Sequence, residues 1–297
     1  MLREGRTLFS FEFFPPKNDE DVAHLLATAR TLKSLHPAYI SVTWGAGGGT
    51  RRKTLDLVST IKSDIGIESM AHLTCVGVGR REIDDILEDI QRRGVENILA
   101  LRGDPPKGAT AFVAHSDGFL HADELVAHLR KQSDICLGVA GYPEGHPECP
   151  RLDQDLDHLK RKVDKGADFI VTQLFFNTPD FLRFRDKAVA RGIRQPIVAG
   201  IMPITNVGQV KRFTTLCGAK IPTPLNASLD RMQDNPDAVI ELGIDHATQQ
   251  CRDLLAEGVQ GIHFYTLNRS HSTQEILRRL QPTSFPIKKI KTRPILG

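Results

Sequence analysis

The chain reads as one α/β domain, a (β/α)8 TIM barrel, and three features lead there. Eight short runs rich in β-forming residues alternate with amphipathic stretches of helical period. No break in composition divides the 297 residues, and barrels of this kind often run past roughly 200 residues as one unit. The competing doubly wound sheet would carry G-x-G-x-x-G after its first strand. The nearest stretch, GAGGGT at 45–50, follows the second run and puts Thr50 where the last glycine belongs.

The first run, LFSFEFF (8–14), sends Glu12 to the side of Ser10 and Phe14 and turns Phe11 and Phe13 the other way. In NDEDVAHLLATARTLKSL, Asn18 caps a helix whose acidic start suits the positive end of the dipole. AYISVTW (38–44) runs into the glycine loop GAGGGTR (45–51), either a backbone-amide cradle for phosphate or simply a flexible connection. After SMAHLTC (69–75), REIDDILEDIQRRG begins acidic, turns basic and stops at Gly94. NILALRG (97–103) leads into LRGDPP, and ICLGVAG (135–141) into GYPEGHPE. DLDHLKRKVDKG and FLRFRDKAVARG flank FIVTQLFF (169–176) and end at Gly166 and Gly192. PIVAGIM (196–202) precedes an insertion of about 206–258, which holds VGQVKRFTTLCG, a proline-bearing link and a long helix through Leu255. GIHFYTL (261–267) completes the set.

A net charge of +3, with no basic block interleaved with aromatics, argues against a nucleic-acid surface. The basic tail, about 284–297, reads as a solvated terminus. Five scattered cysteines without a C-x-x-C pair indicate neither a disulfide framework nor a zinc knuckle. His115, His121 and His128 lack metal-ligand spacing, so no metal is expected. With no signal segment or membrane-length apolar run, the expected compartment is the cytoplasm.

In a barrel, chemistry gathers where the strands end and the βα loops converge. Glu12, Thr43, His72, Arg102, Gln173, Tyr265 and Arg269 all fall at or near such ends. Glu12 sits among phenylalanines, and that apolar wall is expected to raise its pKa and keep a protonated acid near neutrality. The plain alternative is an ion pair with a neighbouring Arg or Lys. At LRGDPP, Gly103 allows close approach to the backbone, while Arg102 and Asp104 offer opposite charges or an ordinary ion pair in a turn. Arg161 and Lys162 could clamp a phosphate or form a solvated face.

These stretches resemble methylenetetrahydrofolate reductase in its short bacterial form. The matching segments are FEFFPPK, VTWGAGG, HLTC, LRGDPP, AGYPEGHPE, LKRKVDKGADFIVTQLFF, GIMPITN and HFYTLNRS, in order to about residue 270. The resemblance implies a barrel holding FAD at its mouth, with NADH or NADPH as co-substrate and a place in one-carbon metabolism and methionine biosynthesis. Reduced nicotinamide would give hydride to the flavin and leave, and 5,10-methylenetetrahydrofolate would take its place and be reduced to 5-methyltetrahydrofolate. By position, Glu12 matches the general acid and Asp104 the acid beside flavin and pterin. Gln173, Gln209, Phe213 and Arg269 match residues that contact folate. The FAD contacts so implied are Thr43, Trp44, Ala46, His72, Arg102, Gly103, Asp104 and Ala122, then Tyr142, His146, Asp155, His158, Arg161 and Lys162. Trp44 and His121 stand where relatives commonly show Tyr, and His158 replaces an amide of some bacterial members. The family implies a homo-oligomer. Two other readings of the same pocket are a flavin-independent, pterin-dependent methyltransferase and a noncatalytic folate or flavin carrier.

Overall fold

The computed structural model describes residues 7–16, 18–44, 50–105, 112–149 and 151–280. The glycine loop at 45–49 and the basic tail lie outside them. Among the described residues eight parallel strands close into a barrel in sequence order, β1 pairing with both β2 and β8. They are β1 (Leu8–Phe13), β2 (Tyr39–Val42), β3 (Ser69–Thr74), β4 (Asn97–Leu101), β5 (Cys136–Gly141), β6 (Phe169–Thr172), β7 (Ile197–Ile201) and β8 (Gly261–Tyr265). The (β/α)8 reading therefore holds. FIVTQLFF is strand only to Thr172, so Gln173 stands just beyond β6 and its backbone N–H donates to the Gly141 carbonyl at 2.7 Å.

The outer layer comprises α1 (Asp19–Leu32), α2 (Arg51–Thr60), α3 (Arg80–Arg92), α4 (Ala122–Gln132), α5 (Leu152–Asp164), α6 (Thr178–Ala190), α7 (Val207–Cys217), α8 (Thr223–Met232), α9 (Pro236–Ala256) and α10 (His271–Leu280). Asn18 caps α1 as expected, its side chain accepting from the Asp21 N–H at 2.8 Å. The insertion after β7 resolves into α7, α8 and α9.

Strand alternation divides the core in two. Phe11 and Phe13 face outward into the large cluster shared with the helices. Met70, Leu99, Phe169, Val171 and Val198 pack together inside the barrel. Gly138 makes room there, because a Cβ would stand 2.6 Å from the Phe169 ring.

Two devices set the mouth. On α9, Gly243 comes so close to Ile204 that a Cβ would lie 1.9 Å from its carbonyl oxygen. The same helix holds the segment after β6, with His246 Nε2 3.0 Å from the Phe176 carbonyl and Gln250 donating to that of Phe175 at 2.8 Å. At the other side, Leu267 and Asn268 adopt left-handed backbone, and the Asn268 amide bonds both the N–H and the carbonyl of Phe14 at 2.8 Å. This clamp fixes the ends of β1 and β8 against each other.

Candidate active site at the barrel mouth

Glu12 enters the barrel on the same face as Ser10, as the period of two requires. It is 5% exposed. Its carbonyl is held by the Thr266 hydroxyl at 2.6 Å, so both backbone and side chain are fixed. His263 Nε2 lies 3.3 Å from Glu12 Oε2 within hydrogen-bond geometry. His72 Nε2 stands 3.3 Å from the same oxygen but off the line of a hydrogen bond. Burial is the largest influence on the Glu12 carboxyl and pushes its pKa up. The His72 charge and the His263 bond outweigh it, and the net position is about 2. This corrects the sequence expectation of a raised pKa. The phenylalanines that prompted it face the helices, whereas imidazoles face the carboxyl. Burial alone would favour the protonated acid, so the imidazoles facing the carboxyl are what lower its pKa.

At the end of β4, Gly103 has φ 88°, and a Cβ there would press to within 2.9 Å of Thr74 and 2.8 Å of Val76. Arg102 does not pair with Asp104, which is exposed. Its guanidinium forks onto Glu148 at 2.5 and 2.7 Å and lies 4.9 Å from the centre of the Phe112 ring. Glu148 follows β5, in the loop where Tyr142 and His146 meet edge to face at 4.7 Å. On α5, Asp155 and Lys162 fall two turns apart and so share the helix face turned inward. Burial pushes Asp155 up to about 6 and Lys162 down to about 8, with their mutual attraction opposing both shifts. Lys162 Nζ donates to the Ala140 carbonyl at 2.5 Å, while Arg161 is exposed. His158 lies between them, its pKa lowered by partial burial and then by the charge of Arg161. Ala122 opens α4.

The other side of the mouth is a cavity of about 490 Å³. Gln209 and Arg269 line it together with Asn206, Arg212 and Ile240. Phe213, one turn beyond Gln209, is half-buried against the second apolar cluster, with the Arg212 guanidinium 5.7 Å from its ring centre. The Gln173 Oε1 accepts from the Leu174 N–H at 2.9 Å, which leaves its amide N–H groups for a ligand.

The family model described as methylenetetrahydrofolate reductase matches residues 1–281. The chain belongs to the methylenetetrahydrofolate reductase family. It is 44% identical over 291 residues to "Methylenetetrahydrofolate reductase (NADH) 1" of Arabidopsis thaliana, covering 94% of this chain and 49% of that protein. The chain thus spans about half the length of that plant relative. It is 38% identical to the "5,10-methylenetetrahydrofolate reductase" of Escherichia coli strain K12, covering 93% of this chain and 92% of that one. Among solved structures, an uncharacterized Clostridium thermocellum protein that binds two copies of 5-methyl-5,6,7,8-tetrahydrofolic acid shares the fold, with TM-score 0.59, 14% identity and coverage of 92% of this chain and 93% of that chain.

Of the residues that resemblance to methylenetetrahydrofolate reductases assigns, Glu12 and His72 lie near the C-terminal ends of β1 and β3, and Arg102, Gly103 and Asp104 follow β4. Tyr142, His146, Asp155, His158, Arg161 and Lys162 follow around the rim from β5 into α5. Thr43 closes β2, its N–H donating to the Phe13 carbonyl and its own carbonyl accepting from the Thr54 hydroxyl, both at 2.9 Å. Trp44 is buried in the main core at 7% exposure, and its Nε1 has no partner among the described residues. Ala46 lies outside the described residues. Sequence reasoning missed Glu148 and His263. The second could have been found, since it stands two residues before the inward-facing Tyr265 and must share its face. The first sits in a loop, where no periodicity applies.

Proposed function

We propose that the protein is a flavoenzyme that reduces 5,10-methylenetetrahydrofolate to 5-methyltetrahydrofolate, with FAD at the barrel mouth and NADH as donor, as the Arabidopsis relative's name indicates for that protein. The observation that carries the reading is a buried carboxyl between two imidazoles, on the same rim as the Arg102–Gly103 turn. The mouth suits the cofactor in three ways. Trp44 Nε1, His72 Nε2 and Thr74 Oγ1 are buried polar atoms without hydrogen-bond partners among the described residues. The left-handed backbone at Gly103 bares a peptide for close approach by a flat ring. Arg102, Arg161 and Lys162 supply cations for its phosphates, and an anion beside Lys162 would restore the charge that burial disfavours.

FAD would supply the hydride-transfer chemistry. The chain's own residues bind, orient and manage the proton. Glu12 would give a proton to the methylene-bridged ring as it opens, and Asp104 would favour the resulting cation. Gln173 would donate its amide hydrogens to the pterin. Gln209 and Arg269, in their shared cavity, would hold the rest of folate, with Phe213 stacking beside them.

Anaerobic stopped-flow on purified protein tests this. NADH should bleach the flavin band, and methylenetetrahydrofolate should then restore it. Protein that cannot be loaded with FAD would point to a flavin-independent methyltransferase, and a flavin that folate never reoxidises would point to a carrier.

A further inference from the structure

We propose that Glu144 is a positioning residue that sets helix α7 against the β5–α5 loop, so that folate is held at a fixed spacing from the flavin. The inference rests on the reading of α7 as a folate-binding helix and of that loop as part of the flavin site, and it adds how the two are joined.

The β5–α5 loop leaves the barrel in a tight turn at 142–145, closed by the Gly145 N–H donating to the Tyr142 carbonyl at 3.0 Å. Gly145 then reverses the chain with φ 89°. Further along, Glu148 forks onto Arg102, and the Cys149 N–H returns to the His146 carbonyl at 2.7 Å. The loop that carries Tyr142 and His146 is thus braced from within and from β4. Glu144 stands inside the turn, half-buried. Asp180 and Arg183 of α6 face its carboxylate but are paired with each other.

Helix α7 is held at its start by Asn206, whose side chain accepts from the Gln209 N–H at 2.8 Å. It ends at Gly218, which has φ 75° and donates its N–H to the Thr214 carbonyl at 2.9 Å. Just past that cap, the Lys220 N–H donates to Glu144 Oε1 at 3.1 Å. Gly218 itself lies so near the loop that a Cβ would stand 3.3 Å from Pro147 Cγ. Cys217, the last residue of α7, senses the same seam, since burial raises its pKa and the Glu144 charge adds to the rise. Among the described residues, the bond from Lys220 is the only hydrogen bond between this loop and the insertion that follows β7. The ion pair of α7, Lys211 to Asp230 at 2.5 Å, stays within the insertion.

A carboxylate that accepts a peptide N–H makes a charge-assisted bond, and here it joins the elements that the two ligands use. Gln209 and Phe213 move with α7. When the helix is free to drift along the loop, folate binds only the fraction of molecules that have both side chains in place, and its apparent affinity falls by that fraction.

The test compares Glu144→Ala, which removes the acceptor, with Glu144→Gln, whose amide oxygen replaces it. Amide hydrogen exchange over 207–221 reads how firmly the end of α7 is held. Quenching of flavin fluorescence reads FAD affinity. The dependence of flavin reoxidation on methylenetetrahydrofolate concentration separates the apparent dissociation constant of folate from the limiting rate. In Glu144→Ala, exchange at 218–220 should rise about tenfold, as expected for loss of one charge-assisted bond. The apparent dissociation constant of folate should rise about three- to tenfold, with the limiting rate changed by less than about twofold and FAD affinity unchanged. Glu144→Gln should return both exchange and folate affinity to within about twofold of wild type. Wild-type folate affinity in Glu144→Ala overturns the proposal, as does a Gln variant as impaired as the Ala variant. FAD affinity that falls as far as folate affinity overturns it too, because Glu144 would then only support the flavin loop. If Glu144→Ala does not fold, Gly218→Ala opens the same seam from the α7 side by crowding Pro147, and the same pattern is expected, with wild-type folate affinity again overturning the proposal. If the protein cannot be loaded with FAD, or folate fails to reoxidise the flavin, the functional reading falls. Exchange at 218–220 in flavin-free protein then still decides whether Glu144 holds α7.

Discussion

The Tyr265 hydroxyl donates to the Thr172 carbonyl at 2.6 Å, reaching from β8 to β6 over Gly200 of the strand between them. The bond exists because Gly200 has no side chain. A Cβ there would lie 2.2 Å from the Thr172 oxygen and 2.8 Å from the Tyr265 ring and hydroxyl. It also fixes the strand end that carries Gln173.

Gly200→Ala should accordingly destabilise the barrel by roughly 3 kcal/mol, the upper part of the usual overpacking range, because the nearest obstacle is backbone. Urea unfolding measures this. A loss below about 1 kcal/mol would mean that the strand can shift to admit a methyl.

Glu12→Gln removes the proton donor and keeps the shape. Bleaching of the flavin by NADH should survive, while the folate step should slow by about 10²–10⁴-fold, the range for loss of a general acid. Equal losses in the two half-reactions would show that Glu12 serves the site's structure instead.

Arg102→Lys replaces a fork with a point charge. The two bonds to Glu148 cannot both be kept. The affinity of the apoprotein for FAD, read by quenching of flavin fluorescence, should fall about tenfold, equivalent to loss of one charge-assisted bond. Unchanged affinity would remove Arg102 from the cofactor's surroundings.

Asp155 provides a pH prediction. Its folded pKa, about 6, lies above the unfolded value of about 3.9. The folded chain thus holds the proton more tightly, so the contribution to stability is fully present below about pH 4 and is lost as pH rises through 6. Asp155→Asn should match wild type below pH 4 in ligand-free protein and exceed it by about 3 kcal/mol above pH 7, measured by urea midpoints at each pH. A constant difference across that range would show that Asp155 titrates normally.

The succession of strands along the chain and the inward face of β1 were legible because both are local properties. A period of two assigns Ser10 and Glu12 to one side and Phe11 and Phe13 to the other without knowledge of any distant residue. The start and stop signals of α1, α3 and α5 are likewise contained within a few positions. The length of β6 was not legible, because Gln173 to Phe176 have the composition of a strand but are held by α9.

By itself the sequence determined that a carboxyl would enter the barrel at Glu12, that an arginine and a flexible glycine would stand at the end of β4, and that both would face one mouth. Closure of the ring decided what the carboxyl meets there. His263 is 251 residues away along the chain and arrives only because β8 pairs with β1. Arg102 finds Glu148 across 46 residues for the same kind of reason. A strand's period fixes direction, whereas proton affinity and charge pairing depend on neighbours within a few ångströms in space, and those neighbours are chosen by the fold.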